Sequence, residues 1–406
     1  MYYSLDRQSV LEYVRKSPLI ARIFGEKDDL TAVDLAEGNI NLIFRVQSAA
    51  APVSQSVLIK QALPYSRRYP EIKLPLDRAR IESEMLLLEA KYCPDQVPKV
   101  YLYDPEMYLT AMEDLRQHSV MRYGLMGQVR YPEFPRQIGV FLASTLFHTS
   151  DFFLSWSEKK AMVPRFINPF LCKISEDLVF TQPFVDHPNN HWTPSLRSQV
   201  EEIIRDEELR SEVLMLKADF MTNAQALIHG DLHTGSIMVT ESKTKVIDPE
   251  FAFFGPMGYD IGALLGNLAL SYASQEYHAK DPTVRDQYRE WLVQTIEEVW
   301  KIFEAEFRRF WEAGDYTQWP SERLRDKFLR KLLQDAAGMG ACEMMRRVLG
   351  LAHVPDFDNI EDERTRAVAE SLALNIARNW LMERREFSDV RDLTSLVRAQ
   401  KPTCSV

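Results

Sequence analysis

The sequence predicts an α+β protein of two lobes, a small antiparallel β-sheet with one main helix followed by a large, mainly helical lobe. Three observations carry this. Strand periodicity prevails over residues 32–112, helical periodicity dominates after Leu115, and 406 residues exceed the roughly 100–200 of one ordinary domain. The implied division is residues 1–112 for the first lobe and 113–406 for the second.

The opening MYYSLDRQSVLEYVRKS mixes acids and bases around apolar positions. It reads as an amphipathic helix and lacks the basic-then-apolar order of a secretory signal. Segments 41–47, 56–62, 97–103 and 107–112 are rich in β-branched and aromatic residues and predict strands. One helix is expected near 78–91, where Ile81, Met85 and Leu88 recur at helical spacing behind Pro75 and Asp77. In the second lobe, Tyr288, Leu292, Ile296, Val299, Phe303, Phe307 and Phe310 form a stripe over 286–313 that Gly314 ends, and Val368, Leu372, Ile376 and Trp380 form another behind the acids 361–363. Both stripes read as core.

Composition removes whole classes of function. Asp and Glu number 59 against 49 Lys and Arg, a net charge of −10 that repels nucleic acid. The most apolar stretch, 261–273, is interrupted by Asn267 and falls short of the roughly 20 residues a membrane span requires. Cys93, Cys172, Cys342 and Cys404 form no C-x-x-C pair, which suits reduced thiols. A cytoplasmic protein with neither nucleic acid nor membrane as partner is expected.

The chemistry concentrates in residues 228–262, IHGDLHTGSIMVTESKTKVIDPEFAFFGPMGYDIG. It follows a helix reading with Val213, Leu216, Phe220, Ala224 and Leu227 on one face. A loop HGDLHTGS leads to a short strand, a polar turn and a second strand ending in Asp248, Pro249 and Glu250. A hairpin returns the chain antiparallel, so Asp231 and Asp248 are expected as neighbours. Phosphoryl transfer needs such a set: one carboxylate orients the attacking hydroxyl, and others hold magnesium against the phosphates. Taken singly, Asp231 caps a turn and Asp248 ends a strand.

Upstream, Lys60 lies in the apolar strand VLIKQAL and requires a counter-charge. ATP phosphates and a helix glutamate, Glu82 or Glu84, can supply it; projection from a solvent face is the bland alternative. Gly38 marks a weak phosphate-covering loop without a G-x-G-x-x-G pattern. Residues 111–115, AMEDL, read as a connector whose backbone can pair with an adenine edge.

These residues together resemble the protein-kinase-like fold in its small-molecule branch, and more narrowly the methylthioribose kinase family. The resemblance rests on GNIN from Gly38, RARIE from Arg78, HGDLHTGS from His229, DPEFAFFGPMGYDIG from Asp248 and EMMRRVLGLAHV from Glu343. It implies transfer of the ATP γ-phosphate to the anomeric hydroxyl of 5-methylthioribose in methionine salvage, by a homodimer. Asp231 would be the base or hydroxyl-orienting residue, and Asp248 and Glu250 the Mg2+ ligands. Gly38, Asn39, Lys60, Glu82, Met112, Glu113 and Leu115 would bind ATP. Arg346, Arg347 and Trp156, with Asp231, would meet the sugar or its phosphate, guanidinium forks being suited to phosphate oxygens. Ser236 stands where aminoglycoside and choline kinases carry a metal-binding asparagine, leaving Glu250 to compensate.

Three other readings remain open on sequence alone. An aminoglycoside, choline or homoserine kinase would share the core motifs, although an arginine pair disfavours a cationic acceptor. A zinc hydrolase would use His229, Asp231 and His233 but leave Lys60 and the Asp248–Glu250 pair unexplained. A non-catalytic nucleotide-binding module would have no need of Lys60, Asp231 and Asp248 together.

Overall fold

A computed structural model describes residues 2–25, 29–35, 40–49, 55–67, 70–314 and 321–400. The chain forms two compact units, Met1–His118 with Lys245–Ala252, and Ser119–Thr244 with Phe253–Val406. The first unit therefore contains Asp248 and Glu250, which a contiguous division at residue 112 assigns to the other lobe. Hydrogen bonds explain the difference: Lys245 Nζ donates to the Val97 carbonyl at 2.8 Å and the Val246 backbone N–H to the Gln96 carbonyl at 2.7 Å, tying this segment to the first unit.

In the first unit, helices α1 (Arg7–Lys16) and α2 (Pro18–Ala21) precede strands β1 (Leu30–Asp34), β2 (Asn41–Ser48) and β3 (Ser56–Ala62); α3 (Arg78–Tyr92), β4 (Val100–Asp104) and β5 (Leu109–Glu113) follow. The five strands form one antiparallel sheet in the order β1-β2-β3-β5-β4. Alternation along β3 sends Val57 and Ile59 to one face, where they join Phe44, Val46, Leu109 and Ala111 in a core closed by Val10 and Val14 of α1. It sends Lys60 to the opposite face, toward α3. The predicted strands and the helix are thus present with ends shifted by a few residues. Residues 111–113, read as part of a connector, instead finish β5, and Met112 pairs with Leu58 and Val100.

The second unit is mainly helical. Strand β6 (Ser119–Val120) and helices α4 (Met121–Met126), α5 (Phe134–His148), α6 (Trp156–Met162), α7 (Pro169–Leu178), α8 (Arg197–Arg205) and α9 (Glu207–Thr222) lead to β7 (Ala226–Ile228) and β8 (Ile237–Val239). Strand β9 (Thr244–Val246) carries the chain into the first unit's segment, and β10 (Phe253–Gly255) returns it. Helices α10 (Met257–His278), α11 (Pro282–Ala313), α12 (Glu322–Leu349), α13 (Pro355–Asp358), α14 (Glu363–Glu383) and α15 (Val390–Ala399) complete it.

Both predicted stripes lie in helices, α11 and α14, and most of their members are buried. The stripe predicted through Ala224 and Leu227 ends earlier. Helix α9 stops at Thr222, and Leu227 lies in β7, which pairs antiparallel with β10. That short ladder delivers the chain directly into His229.

Helix α10 packs against α12 with almost no gap between backbones. A Cβ added at Gly262 would stand 2.3 Å from the Ala336 carbonyl, and one at Gly340 would stand 2.6 Å from the Gly262 carbonyl. Only glycine permits this approach, and it brings Asn267 of α10 to 3.3 Å from Glu343 of α12. Among the described residues, no helix is long and apolar enough to cross a membrane. Cys93, Cys172 and Cys342 are free thiols, and Cys404 lies outside the described residues.

Candidate active site

The sequence-predicted site residues fall into two clusters, one in each unit.

In the first unit, Lys60 is buried in β3 and bonded on two sides, to Glu82 Oε1 at 2.7 Å and Asp248 Oδ1 at 2.5 Å. The helix partner is therefore Glu82; Glu84 instead faces Arg80 at 3.3 Å. Burial pulls the Lys60 ammonium toward neutrality, but Asp248, Glu82 and Glu250 outweigh it and hold the proton. Burial also pushes the Glu82 carboxyl up, against the pull of Lys60. Three carboxylates around one ammonium leave surplus negative charge, so both groups keep protons more tightly.

Asp248 has φ 65° and ψ 43°, the left-handed region in which aspartate is one of the few tolerated side chains. Its carboxylate is 42% exposed, whereas Glu250 is buried and accepts from Arg78 Nε at 3.1 Å and Asn41 Nδ2 at 3.4 Å. The stretch 111–115 has its polar backbone partly spoken for: Glu113 N–H donates to the Lys99 carbonyl and the Leu115 carbonyl accepts from His118. Gly38 and Asn39 lie outside the described residues.

In the second unit, Asp231 follows Gly230, whose φ of 81° requires glycine. The turn is held from α10: Asp260 accepts the His229 N–H at 2.6 Å and the Gly230 N–H at 2.9 Å. Ser236 Oγ donates to the Asp231 carbonyl at 3.1 Å. The side chain of Asp231 is 28% exposed and has Arg346 Nη2 at 3.4 Å and Arg347 Nη2 at 3.7 Å from Oδ1, with His233 Nε2 at 3.4 Å from Oδ2. Burial raises the Asp231 carboxyl, but these neighbours outweigh it and leave it far below the usual range.

His233 Nδ1 accepts the N–H groups of Gly235 and Ser236, so its ring proton belongs on Nε2, facing Asp231. Burial, with Arg347 and Arg122, outweighs Asp231 and keeps the imidazole neutral. That geometry gives no zinc site. Among the described residues no three His, Cys, Asp or Glu side chains gather to hold a metal ion.

Arg346 and Arg347 are buried in the last turn of α12, not an exposed pair. Glu343, one turn earlier, accepts from Arg346 Nε at 2.5 Å and Arg347 Nε at 2.7 Å. Although burial opposes it, the two guanidinia draw the Glu343 carboxyl down to about 2. Arg347 Nη2 is buried without a hydrogen bond among the described residues. Behind it, Asn267 Nδ2 reaches Glu343 at 3.3 Å, and Arg122 bonds Asn267 at 2.9 Å and Asp356 at 2.5 Å. Trp156 stands at the start of α6, 74% exposed, and is not a core tryptophan.

Sequence reasoning assigned no role to Arg78, Arg122, Asp260, Asn267 or Glu343. Two of them carried a legible signal: Glu343 precedes the arginines by three and four residues, and Arg78 precedes Glu82 by four, each spacing that of one helix face. The other three act across long sequence separations that no local pattern reveals.

A buried lysine bonded to a helix glutamate and to an acid two residues from another, together with an H-G-D carboxylate held ionised, is the residue set of a phosphotransferase. Residues 35–301 match the Phosphotransferase enzyme family. A methylthioribose kinase of Geobacillus kaustophilus is 42% identical over 376 residues, covering 92% of each chain. One from Yersinia pseudotuberculosis is 39% identical over 99% of this chain and 98% of its own, and methylthioribose kinase 1 of Oryza sativa subsp. japonica is 40% identical over 95% and 93%. The chain belongs to the phosphotransferase family, in its methylthioribose kinase branch.

Proposed function

We propose that this kinase transfers the γ-phosphate of ATP to the anomeric hydroxyl of 5-methylthioribose, giving the 1-phosphate, within methionine salvage. The observation that carries the acceptor reading is the pair Arg346 and Arg347, at 3.4 and 3.7 Å from Asp231 Oδ1. Two buried guanidinia disfavour a cationic acceptor such as choline or an aminoglycoside and suit a neutral sugar that becomes a phosphate ester. The unbonded Arg347 Nη2 offers a donor to an oxygen of that product.

Asp231 orients the acceptor hydroxyl. A carboxylate held so far below its usual range stays ionised but is a weak base, so alignment is its larger contribution. His233, neutral and with its proton toward Asp231, fixes that carboxylate. In the first unit Lys60 meets nucleotide phosphates and Glu82 fixes the lysine; Gly38, Asn39, Met112, Glu113 and Leu115 line the nucleotide, and Trp156 flanks the sugar.

The donor set of Asp248 and Glu250 fits magnesium. The ion favours oxygen ligands and usually takes only one or two carboxylates, completing its shell with water and phosphate, so no larger protein cluster is required. When bound, magnesium neutralises charge on the phosphates. A cytoplasmic homodimer, the assembly expected from the family resemblance, completes the proposal.

The test is a panel of sugars and alcohols assayed for ATP consumption, with the product identified by phosphorus NMR. Methylthioribose should be the preferred acceptor and give an anomeric phosphate. Preference for choline, an aminoglycoside or homoserine would overturn the acceptor assignment.

A further inference from the structure

Helix α3 presents two charged side chains, one turn apart, to the segment that carries Asp248 and Glu250. Glu82 acts through Lys60, and Arg78 acts directly. Arg78 is buried, and its bonding is complete: Nε donates to Glu250 at 3.1 Å, Nη1 to the carbonyls of Leu63 and Pro75 at 2.8 Å each, and Nη2 to the Ile40 carbonyl at 2.7 Å and Asn41 Oδ1 at 2.9 Å. A guanidinium has five N–H donors, and every one has an acceptor. Asn41 closes the group by donating to the same Glu250 oxygen at 3.4 Å.

Ordinary packing does not require this. A buried ion pair seldom stabilises more than apolar side chains of equal volume, because desolvation consumes the Coulombic gain. What the guanidinium supplies is direction: its planar fork sets one carboxylate oxygen of Glu250 and, by the same plane, the backbone carbonyl of Ile40 and the side-chain oxygen of Asn41, the residues that follow Gly38 and Asn39 in the chain. Lysine has three donors on a flexible stem and cannot satisfy five acceptors in one plane. Charge points the same way. Glu82, Asp248 and Glu250 set three carboxyl groups against the two cations Lys60 and Arg78, an excess of acids that a cation arriving with nucleotide can meet.

We propose that Arg78 is a positioning residue for the metal–nucleotide complex, holding the Glu250 carboxylate and the start of β2 in the arrangement that magnesium-bound ATP requires. This rests on the reading of Glu250 as a magnesium ligand.

The test is isothermal titration of the full-length protein with a non-hydrolysable ATP analogue, with and without magnesium, for wild type, Arg78→Lys, Asn41→Ala, Glu250→Gln and the double variant Arg78→Lys/Glu250→Gln. Loss of a residue that orients a metal ligand costs about 10- to 100-fold in metal affinity. Arg78→Lys should therefore lose about that much affinity with magnesium and none without it, and the double variant should be no weaker than Glu250→Gln. An equal loss with and without magnesium would reduce Arg78 to support of the fold, and no loss, or additive losses, would overturn the proposal. Should circular dichroism show Arg78→Lys to be unfolded, Asn41→Ala decides: a magnesium-specific loss supports the proposal, and a metal-independent loss or none overturns it. Wild type gaining nothing from magnesium would sink the metal reading, and Arg78's role with it, a result distinct from any variant effect.

Discussion

The His229 N–H stands 2.6 Å from Asp260 Oδ2, so a carboxylate 31 residues downstream fixes the backbone that delivers Asp231. The other oxygen of Asp260 takes the Gly230 N–H. Asp260→Ala would leave two buried donors unpaired, at about 1–3 kcal/mol each. Asp260→Asn keeps one acceptor. Denaturant unfolding should rank wild type above Asp260→Asn above Asp260→Ala, with kcat falling in the same order; equal stability of the two variants would contradict the bonding described.

Asp231→Asn preserves shape while removing the charge that aligns a hydroxyl. Turnover should fall by about 10² to 10⁴, the usual cost of losing such a group. The residues proposed to bind nucleotide belong to the other unit, so the affinity for the ATP analogue should hold. Turnover equal to wild type would remove Asp231 from the reaction.

Lys60 separates stability from function. Lys60→Met strips Glu82 of its buried counter-charge, and breaking such a pair costs about 3–5 kcal/mol. Removing both charges, in Lys60→Met/Glu82→Leu, takes away the stranded carboxylate as well and should restore part of the thermal stability. Neither variant should recover nucleotide affinity, because the cation is absent from both. A double variant no more stable than Lys60→Met would argue against the buried pair.

The contrast between Lys60 and Arg346 shows how much of this was legible in the chain. Lys60 sits among apolar residues with a glutamate on the next helix, and strand alternation with helical spacing predicts the helix glutamate as a partner; the choice of Glu82 over Glu84, and the second bond to Asp248, emerge only in the fold. The short ladder of β7 and β10 escaped because three-residue strands carry too little periodicity, and Leu227 was absorbed into the preceding helical stripe. Arg346 and Arg347 were legible as candidates but not as buried groups, since their burial depends on glycine-permitted contact between α10 and α12, far apart in sequence. The Asp248–Glu250 segment joins the first unit through Arg78 and Lys245, bonds that span more than a hundred residues.

Glu343 should make the protein acid-sensitive. Arg346 and Arg347 outweigh burial and lower its carboxyl from an ordinary 4.5 to about 2 in the folded state. A depressed carboxyl stabilises the fold fully above its unfolded value and loses that contribution as pH falls through the interval toward 2. At 1.36 kcal/mol per pKa unit the contribution is roughly 3 kcal/mol. Asp231, drawn down by His233 and then by the same guanidinia, adds to the slope in the same direction. Denaturant unfolding followed from neutral pH down to about 3 should therefore show a steep loss in wild type. Glu343→Gln should start less stable, because two buried arginines lose their shared anion, yet fall less steeply with acid. Parallel curves for the two proteins would show that Glu343 does not carry the charge its neighbours imply.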